Sequence, residues 1–242
     1  MHIRRLGYVV NQRLMKEYQE RFLIQLVSTG ALIFRPIKLK SGRISPYYVS
    51  LRRAVDTGQK IIETANAYAE EIIVRVGLDF DYIHGPAYAG IPLAATTAAT
   101  LWKNHGVDKR WGYDRKEAKS YGEKGQELIV GDLRDSDVIL IQDDVVTTGR
   151  TKIENWQKIK FHRGNLKLKG ILIAIDREEQ DETGEPTDIV LERAGLNVYS
   201  ILKITEIFDW LKGREIGGKV HITDTIYKSF REYFDLYGAV RR

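Results

Sequence analysis

Apolar residues recur at helical spacing in two segments near the start of the chain. Segment 15–29, which is followed by Gly30 as a stop, has four of them on one helical face: Phe22, Leu23, Leu26 and Val27. Segment 59–76 repeats this spacing at Ile61, Ile62, Ala65, Tyr68, Ala69, Ile72 and Ile73. Because a period of about 3.6 residues keeps apolar side chains on one face, the pattern predicts two amphipathic helices.

Short continuous apolar runs follow, and each ends at polar residues or glycine. The runs are 82–84, 138–141, 171–175 and 198–202. Between them lie stretches long enough for helices, such as 90–105 and 150–162. Buried runs of strand length that alternate with helices predict an α/β fold with a central, mostly parallel sheet flanked by helices. Ligands of such sheets bind beyond the carboxyl ends of the strands, so the chemistry is expected directly after each run.

Composition narrows the protein class. The 242 residues, 43% hydrophobic and 29% charged, are typical of a globular chain and exclude disorder throughout. The absence of cysteine excludes disulfides, thiolate metal sites and a cysteine nucleophile, and it favours a reducing, cytoplasmic compartment. No apolar run approaches the roughly 18 residues of a membrane span. We expect an extension at 1–14, without the apolar core of a signal peptide, and one domain at 15–242.

The net charge of +5 leaves two classes of partner open. A basic chain can bind nucleic acid, or it can be an enzyme that handles phosphorylated, anionic substrates. The basic residues are spread among acidic ones, which is typical of a solvated surface. Composition alone therefore does not choose between the two partners.

The most informative motif occupies residues 138–151, where a buried strand is followed by Asp143 and Asp144 and then by a turn that opens a helix. A helix N-terminus offers free N–H groups and a positive dipole end to a phosphate, and Gly149 permits close approach. Threonine hydroxyls add donors at Thr147, Thr148 and Thr151. The carboxylates require sugar hydroxyls or a hydrated divalent cation instead. A sugar phosphate satisfies both halves, whereas an isolated Asp-Thr-Gly would indicate only a helix cap.

Segment 114–127 contains eight charged side chains and no large aliphatic residue before Leu128. Such a segment is not expected in a core. It is either a solvated surface loop or a lid with hinges at Gly122 and Gly125. As a lid, it would neutralise an anionic leaving group and exclude water with Arg115, Lys116 and Lys119.

The unit at 138–151 resembles the phosphoribosyl-pyrophosphate (PRPP) motif of the type I phosphoribosyltransferases. Three more segments resemble segments of the orotate phosphoribosyltransferases and occur in the same order along the chain. They are residues 39–48 (orotate segment), 85–94 (second substrate loop) and 114–123 (mobile catalytic loop). The similarity continues through 174–177 to the last helices. It implies the type I phosphoribosyltransferase fold, with a small hood built from the N-terminal segment.

The resemblance implies a glycosyltransferase, specific for pentosyl transfer, in de novo pyrimidine (UMP) biosynthesis. Orotate and PRPP would give orotidine 5′-monophosphate and pyrophosphate. Mg²⁺ is the implied cofactor, bound through PRPP and water without metal ligands from the protein. The implied assembly is a homodimer with shared active sites that binds neither nucleic acid nor membrane.

The resemblance also implies residue roles. The catalytic residues would be Arg115, Lys119, Asp143 and Asp144. PRPP would be bound by Lys40, Tyr88, Ala89, Arg115, Lys116, Lys119, Tyr121, Asp143, Asp144, Val145, Val146, Thr147, Thr148, Gly149, Arg150 and Thr151. Orotate would be bound by Lys40, Tyr47, Tyr48, Thr147 and Arg177. Three loop residues would act in the neighbouring subunit's site, namely Arg115, Lys119 and Tyr121, while Lys116 would act in its own.

Two positions depart from the family's pattern. Ala89 stands where a lysine usually meets the pyrophosphate, and Tyr121 stands where the family has histidine. The loss of one charged hydrogen bond costs about 1.5–3 kcal/mol. These departures keep two alternatives open: a phosphoribosyltransferase for another base, and a non-catalytic PRPP-sensing regulator that binds nucleic acid. The charged loop favours the enzyme, because a sensor has no departing pyrophosphate to stabilise.

Two other sequence features do not indicate a functional site. Residues 213–219 nearly match a P-loop, but Val220 replaces the magnesium-binding Ser/Thr and no buried strand precedes them. We expect a helix–loop connection there. The five histidines show no metal-ligand spacing, and His84 is expected to be a packed residue.

Overall fold

The computed structural model describes residues 15–39, 42–116, 128–146, 149–181 and 183–239. Helix α1 (Glu17–Ser28) buries Phe22, Leu23 and Leu26, as its spacing predicts. Gly30 follows the helix with a φ of +68°, a left-handed conformation that suits glycine. The predicted first helix and its stop are confirmed.

Four short strands follow α1: β1 (Leu32–Ile33), β2 (Ile37–Lys38), β3 (Ile44–Ser45) and β4 (Tyr48–Val49). They form two antiparallel pairs, β1 with β4 and β2 with β3, outside the central sheet. A 3₁₀ turn at Leu51–Ala54 then leads to the second helix. Strands of two residues are too short for a hydrophobic period, so the sequence pattern does not predict them.

Helix α2 (Gly58–Glu71) starts at Thr57, whose side chain accepts a hydrogen bond from the backbone N–H of Lys60. The helical path continues to residue 76, but its last turn, Ile72–Val76, is π-helical. The prediction for 59–76 is thus confirmed in extent, with a wider final turn.

The central sheet has six strands: β5 (Tyr82–Gly85), β6 (Arg110–Asp114), β7 (Ile129–Gly131), β8 (Val138–Val145), β9 (Lys167–Asp176) and β10 (Val198–Lys203). Their order is β10-β9-β8-β5-β6-β7, and all neighbours are parallel except β6 and β7. The chain leaves β5 on one side for β6 and returns on the other side as β8. This reversal opens a crevice at the carboxyl ends of β5 and β8, where ligands of such sheets bind.

Both faces of the sheet are covered. Helices α3 (Gly90–His105) and α4 (Arg150–His162) have the predicted bounds, and α5 (Thr187–Arg193), α6 (Ile204–Leu211) and α7 (Asp224–Tyr237) complete the set. Leu140 packs in one hydrophobic cluster, while its neighbours Ile139 and Ile141 pack in a second. Alternate side chains of one strand thus enter different clusters, which explains the continuous apolar run. The predicted α/β fold with a mostly parallel sheet is confirmed.

Two local predictions need correction. Asp114, which sequence analysis assigned to the charged loop outside the core, is the last residue of β6 and is only 6% exposed. The expected helix–loop connection at 213–219 contains a small antiparallel hairpin, β11 (Glu215–Ile216) with β12 (Lys219–Val220). None of the helices in the described ranges combines the length and apolar character that a membrane crossing requires.

Candidate active site

The crevice at the carboxyl edge of the sheet receives residues from four strands. Tyr88 follows β5, Arg115 follows β6, Asp143 and Asp144 lie at the end of β8, and Arg177 follows β9. Parallel strands end at the same edge, so segments far apart in sequence meet there. The strand register brings β5 next to both β6 and β8.

The loop at 86–89 is closed by two glycines. A Cβ atom on Gly85 would lie 2.2 Å from the carbonyl oxygen of Gly90, and one on Gly90 would lie 2.7 Å from the carbonyl oxygen of Gln142. The backbone can turn this tightly only with glycine at both positions. The turn leaves Tyr88 68% exposed and Ala89 exposed above the crevice.

A cleft of about 360 Å³ lies between this loop and the end of β6, and we call it the cationic cleft. Its lining consists of Ala87, Tyr88, Ile91, Tyr113, Asp114, Arg115 and Lys116. The ammonium of Lys116 lies 4.5 Å from the centre of the Tyr88 ring. Two cations beside an aromatic ring create a positive potential that suits a phosphorylated ligand.

Asp114 holds both walls of the cationic cleft. Its Oδ1 accepts a hydrogen bond from the Ala87 N–H at 3.1 Å and lies 3.4 Å from His84 Nε2. Its Oδ2 accepts from Lys158 Nζ at 2.6 Å, and Lys158 also donates to the carbonyl oxygen of Arg115 at 2.6 Å. Burial alone would raise the pKa of Asp114, but the hydrogen bonds from His84 and Lys158 outweigh it and lower the pKa. His84 is fully buried, as expected of a packed residue.

The acidic pair at the end of β8 is bonded asymmetrically. Asp143 Oδ1 accepts the N–H of Asp144 at 2.9 Å, and Asp143 Oδ2 forms an ion pair with Lys152 of α4. Asp144 Oδ1 accepts the N–H of Val145 at 2.7 Å. The hydroxyl of Tyr68 donates to the carbonyl oxygen of Asp143 at 2.8 Å. Burial, and then the charge of Asp143, raise the pKa of Asp144.

The turn after β8 leads into α4. Val146 and Gly149 are buried, and Arg150 and Thr151 are exposed in the first turn of the helix. Arg150 pairs with Glu154 at 2.9 Å on the helix surface. Thr147 and Thr148 lie outside the described residues.

Arg177 is buried against Tyr47. Its guanidinium carbon lies 4.6 Å from the Tyr47 ring centre, and its Nη2 donates to Glu179 Oε1 at 2.8 Å. The Tyr47 hydroxyl donates to the same carboxylate oxygen at 2.6 Å. The side chain of Tyr47 is fully buried and packs edge-on against Tyr233, while Tyr48 is 39% exposed. Burial raises the pKa of Tyr47 well above its ordinary value, so the hydroxyl keeps its proton.

Sequence analysis missed three charged residues of this region, namely Lys152, Lys158 and Glu179. The two lysines belong to a helix whose composition is polar, and Glu179 follows Arg177 by two residues. Besides Thr147 and Thr148, three more predicted site residues lie outside the described residues: Lys40, Lys119 and Tyr121. Within the described ranges, no group of three or more Asp, Glu or His side chains is arranged to hold a metal ion.

No family model matches the chain. Comparisons with individual proteins and with solved structures give a consistent result. Orotate phosphoribosyltransferase of Clostridium beijerinckii is 34% identical over 227 residues, covering 93% of this chain and 100% of the relative. Orotate phosphoribosyltransferase of Ruthia magnifica is 37% identical over 229 residues, with the same coverage.

Among solved structures, orotate phosphoribosyltransferase of Francisella tularensis matches with a TM-score of 0.75 and 27% identity, over 90% of this chain and 99% of the other. UMP synthase of Leishmania donovani matches with a TM-score of 0.69 and 25% identity, over 91% of this chain and 43% of the other. The similarity thus extends over nearly the whole length of this chain in both kinds of comparison.

Proposed function

The chain belongs to the orotate phosphoribosyltransferase family, and from this premise we propose that it transfers the 5-phosphoribosyl group of PRPP to orotate. The products are orotidine 5′-monophosphate and pyrophosphate, in the biosynthesis of pyrimidine nucleotides. The relatives named above support this function because they match over their full lengths.

One observation of the structure carries the proposal: an acidic pair and the cationic cleft open at the same edge of the sheet. Asp143 and Asp144 lie at the end of β8, and Arg115 and Lys116 line the cleft beside the end of β5. PRPP has a hydroxyl-bearing ribose between anionic groups, so it needs both kinds of surface. We assign the ribose to the acids and the pyrophosphate to the cleft.

The anionic base is assigned to Arg177. A guanidinium group can hold a carboxylate in a fork of two parallel hydrogen bonds, which an ammonium cannot do. Glu179 and the ring of Tyr47 restrict the rotation of Arg177, since both contact it directly. The roles of Lys40, Tyr48 and Thr147 at orotate stay predictions.

The chemistry requires positioning and charge stabilisation more than covalent help. As the bond from the anomeric carbon to pyrophosphate breaks, pyrophosphate leaves with the bonding electrons and that carbon becomes oxocarbenium-like; N1 of orotate bonds to the carbon and releases its proton to solvent or to the departing pyrophosphate. Asp143 and Asp144 would hold the ribose hydroxyls and balance the positive charge. Arg115, Lys116 and Lys119 would neutralise the leaving pyrophosphate, and a closed loop would exclude water.

Magnesium is expected to reach the site on the oxygens of PRPP and on water. The crevice offers oxygen donors, which magnesium prefers, but the described residues gather no three-carboxylate cluster. This donor set fits an ion carried by the substrate. When bound, the ion supplies charge neutralisation at the pyrophosphate.

We also propose a homodimer with shared active sites, without nucleic acid or membrane as a partner. Arg115, Lys119 and Tyr121 would act in the neighbouring site, and Lys116 in its own. The charged segment that begins at the rim of the cationic cleft supports this arrangement. The hood, formed by the strands at 32–49, and a cytoplasmic location are predictions of the same kind.

An assay of base consumption tests the function. The protein is incubated with PRPP and Mg²⁺, and with orotate, adenine, guanine or uracil in parallel. We expect consumption of orotate and release of pyrophosphate. Turnover of a different base alone would overturn the substrate assignment, and PRPP binding without any turnover would favour the regulator.

A further inference from the structure

Lys152 is an unusual residue for its place in the fold. It is the third residue of α4, where the helix dipole is positive and disfavours a cation. It is nevertheless only 5% exposed, and it shares the buried face of α4 with Ile159. A buried ammonium at a helix N-terminus requires a nearby anion. Asp143 is that anion, because its Oδ2 forms an ion pair with Lys152 Nζ.

This ion pair makes the two acids unequal. Both carboxylate oxygens of Asp143 are engaged, one by Lys152 and the other by the backbone N–H of Asp144. In the described part of the chain, no cation forms an ion pair with Asp144, which accepts the N–H of Val145. Asp144 is therefore the acid whose carboxylate is less occupied by partners from its own chain.

The other groups that face the acidic pair, Tyr68 and His84, do not replace the positive charge of Lys152. Tyr68 of α2 donates to the carbonyl oxygen of Asp143, and burial raises the pKa of Tyr68 well above its ordinary value, so it stays neutral. His84 of β5 is buried, which lowers its pKa, so it is neutral near pH 7. Lys152 thus supplies the cation that contacts Asp143, one of the two adjacent carboxylates.

We propose that Lys152 is a positioning residue for PRPP: its ammonium holds the side chain of Asp143 in place, so that Asp144 accepts the ribose hydroxyls. The proposal rests on the function proposed above and deepens it by dividing the roles of the two acids. Burial and the charge of Asp143 raise the pKa of Asp144, and the charge of Lys152 opposes this; without Lys152 the pKa of Asp144 would rise further, and a protonated carboxyl accepts hydroxyl hydrogen bonds less well.

The test measures PRPP binding by calorimetry between pH 5.5 and 8.5 for the wild type, Lys152→Met and Lys152→Arg. We expect Lys152→Met to bind PRPP about tenfold more weakly at the acidic end of this range and to recover toward its basic end, because Asp144 ionises as the pH rises. Lys152→Arg keeps the charge and should keep the wild-type pH profile. Lys160→Met, an exposed change in the same helix, is the control for loss of a cation.

The second arm separates the two acids. Asp144→Asn should lose PRPP affinity at every pH. Asp143→Asn combined with Lys152→Met removes the ion pair as a unit; this double variant should lose less PRPP affinity than Asp144→Asn and should not show the pH dependence of Lys152→Met, because no second carboxylate then stands beside Asp144. This double variant also tests the proposal if Lys152→Met alone does not fold. An equal loss at every pH in Lys152→Met, or wild-type affinity in Asp144→Asn, would overturn the proposal. Failure of the wild type itself to bind PRPP would instead overturn the proposed function.

Discussion

The guanidinium group of Arg177 donates a hydrogen bond of 2.8 Å to Glu179, an acid two residues further along the chain. The pair is buried, with Arg177 8% exposed, and the hydroxyl of Tyr47 donates to the same oxygen of Glu179. The arginine assigned to the anionic base is therefore held from one side by its own chain. The guanidinium has five N–H donors, one of which binds Glu179, and we assign the fork for a substrate carboxylate to the N–H groups that remain.

Arg177→Lys keeps the charge at this position and removes the planar fork. We expect the KM for orotate to rise by about tenfold or more, with the KM for PRPP little changed. Steady-state kinetics with each substrate varied in turn measures both values. Arg193→Lys, on an exposed pair with Glu185, is the matched control and should leave both KM values unchanged. Equal damage to both substrates by Arg177→Lys would indicate a structural role instead.

Ala89→Lys restores a cation at the position where the family usually has one. Ala89 is exposed and lies between Tyr88 and the start of α3, and Tyr88 lines the cationic cleft, so a longer side chain has room to extend from this position. We expect pyrophosphate to bind about tenfold more tightly, and this gain should shrink at high salt. Calorimetry with inorganic pyrophosphate measures it. Ala89→Met has a similar length without the charge, and an equal gain in that variant would contradict an electrostatic cause.

Asp114→Asn removes the carboxylate that holds the walls of the cationic cleft. Because the folded protein lowers the pKa of Asp114, this group stabilises the fold above its unfolded pKa of about 3.9, and the contribution is lost as the pH falls below that value. The variant should be less stable by about 1–3 kcal/mol at pH 7, with a weaker dependence of stability on pH below about 4.

Urea unfolding at several pH values measures this change in the free energy of unfolding. Asp79→Asn is the control, because Asp79 pairs with Lys169 while remaining 77% exposed. It should change the free energy of unfolding much less. If both variants lose the same stability, the network around Asp114 contributes no more than a surface ion pair.

A mixing experiment tests the shared active sites. Lys119→Ala should be nearly inactive because the leaving pyrophosphate loses a cation, and Asp143→Asn with Asp144→Asn should be nearly inactive through the ribose. After subunit exchange at equal mixing, about half of the dimers are mixed and each contains one intact site, so about a quarter of the wild-type activity should return. If exchange is verified and the activity stays at background, Lys119 serves its own subunit.

The sequence predicts the helices and strands in which the buried positions carry apolar side chains. Strands β5, β8, β9 and β10 and helices α1 and α2 were predicted on that basis, whereas α3 and α4 were predicted from the length of the stretches between the apolar runs. Strand β6, with the sequence RWGYD, was missed because glycine and charged residues interrupt its pattern. Strand β7 has only three residues and lies at the sheet edge.

The site was predictable to the extent that its chemistry follows a motif. Asp143 and Asp144 stand directly after an apolar run and before a threonine-rich turn, and this order alone indicates a sugar phosphate. Lys152, Lys158 and Glu179 gave no such indication. Each is a charged residue of ordinary local context that is buried or half-buried and pairs with an opposite charge from another part of the chain or across a turn. Ion pairs of this kind leave no periodic pattern in the sequence, so sequence analysis does not predict them.

The closure of the loop at 86–89 bears on how this site can evolve. Its path is set by close contacts at Gly85 and Gly90, whereas the side chain of Ala89 is exposed. A mutation at position 89 can therefore change the charge offered to the ligand while the loop keeps its shape. Natural selection can tune the affinity for pyrophosphate here at little cost in folding. A change at either glycine would instead alter the path of the loop and the affinity for pyrophosphate at the same time.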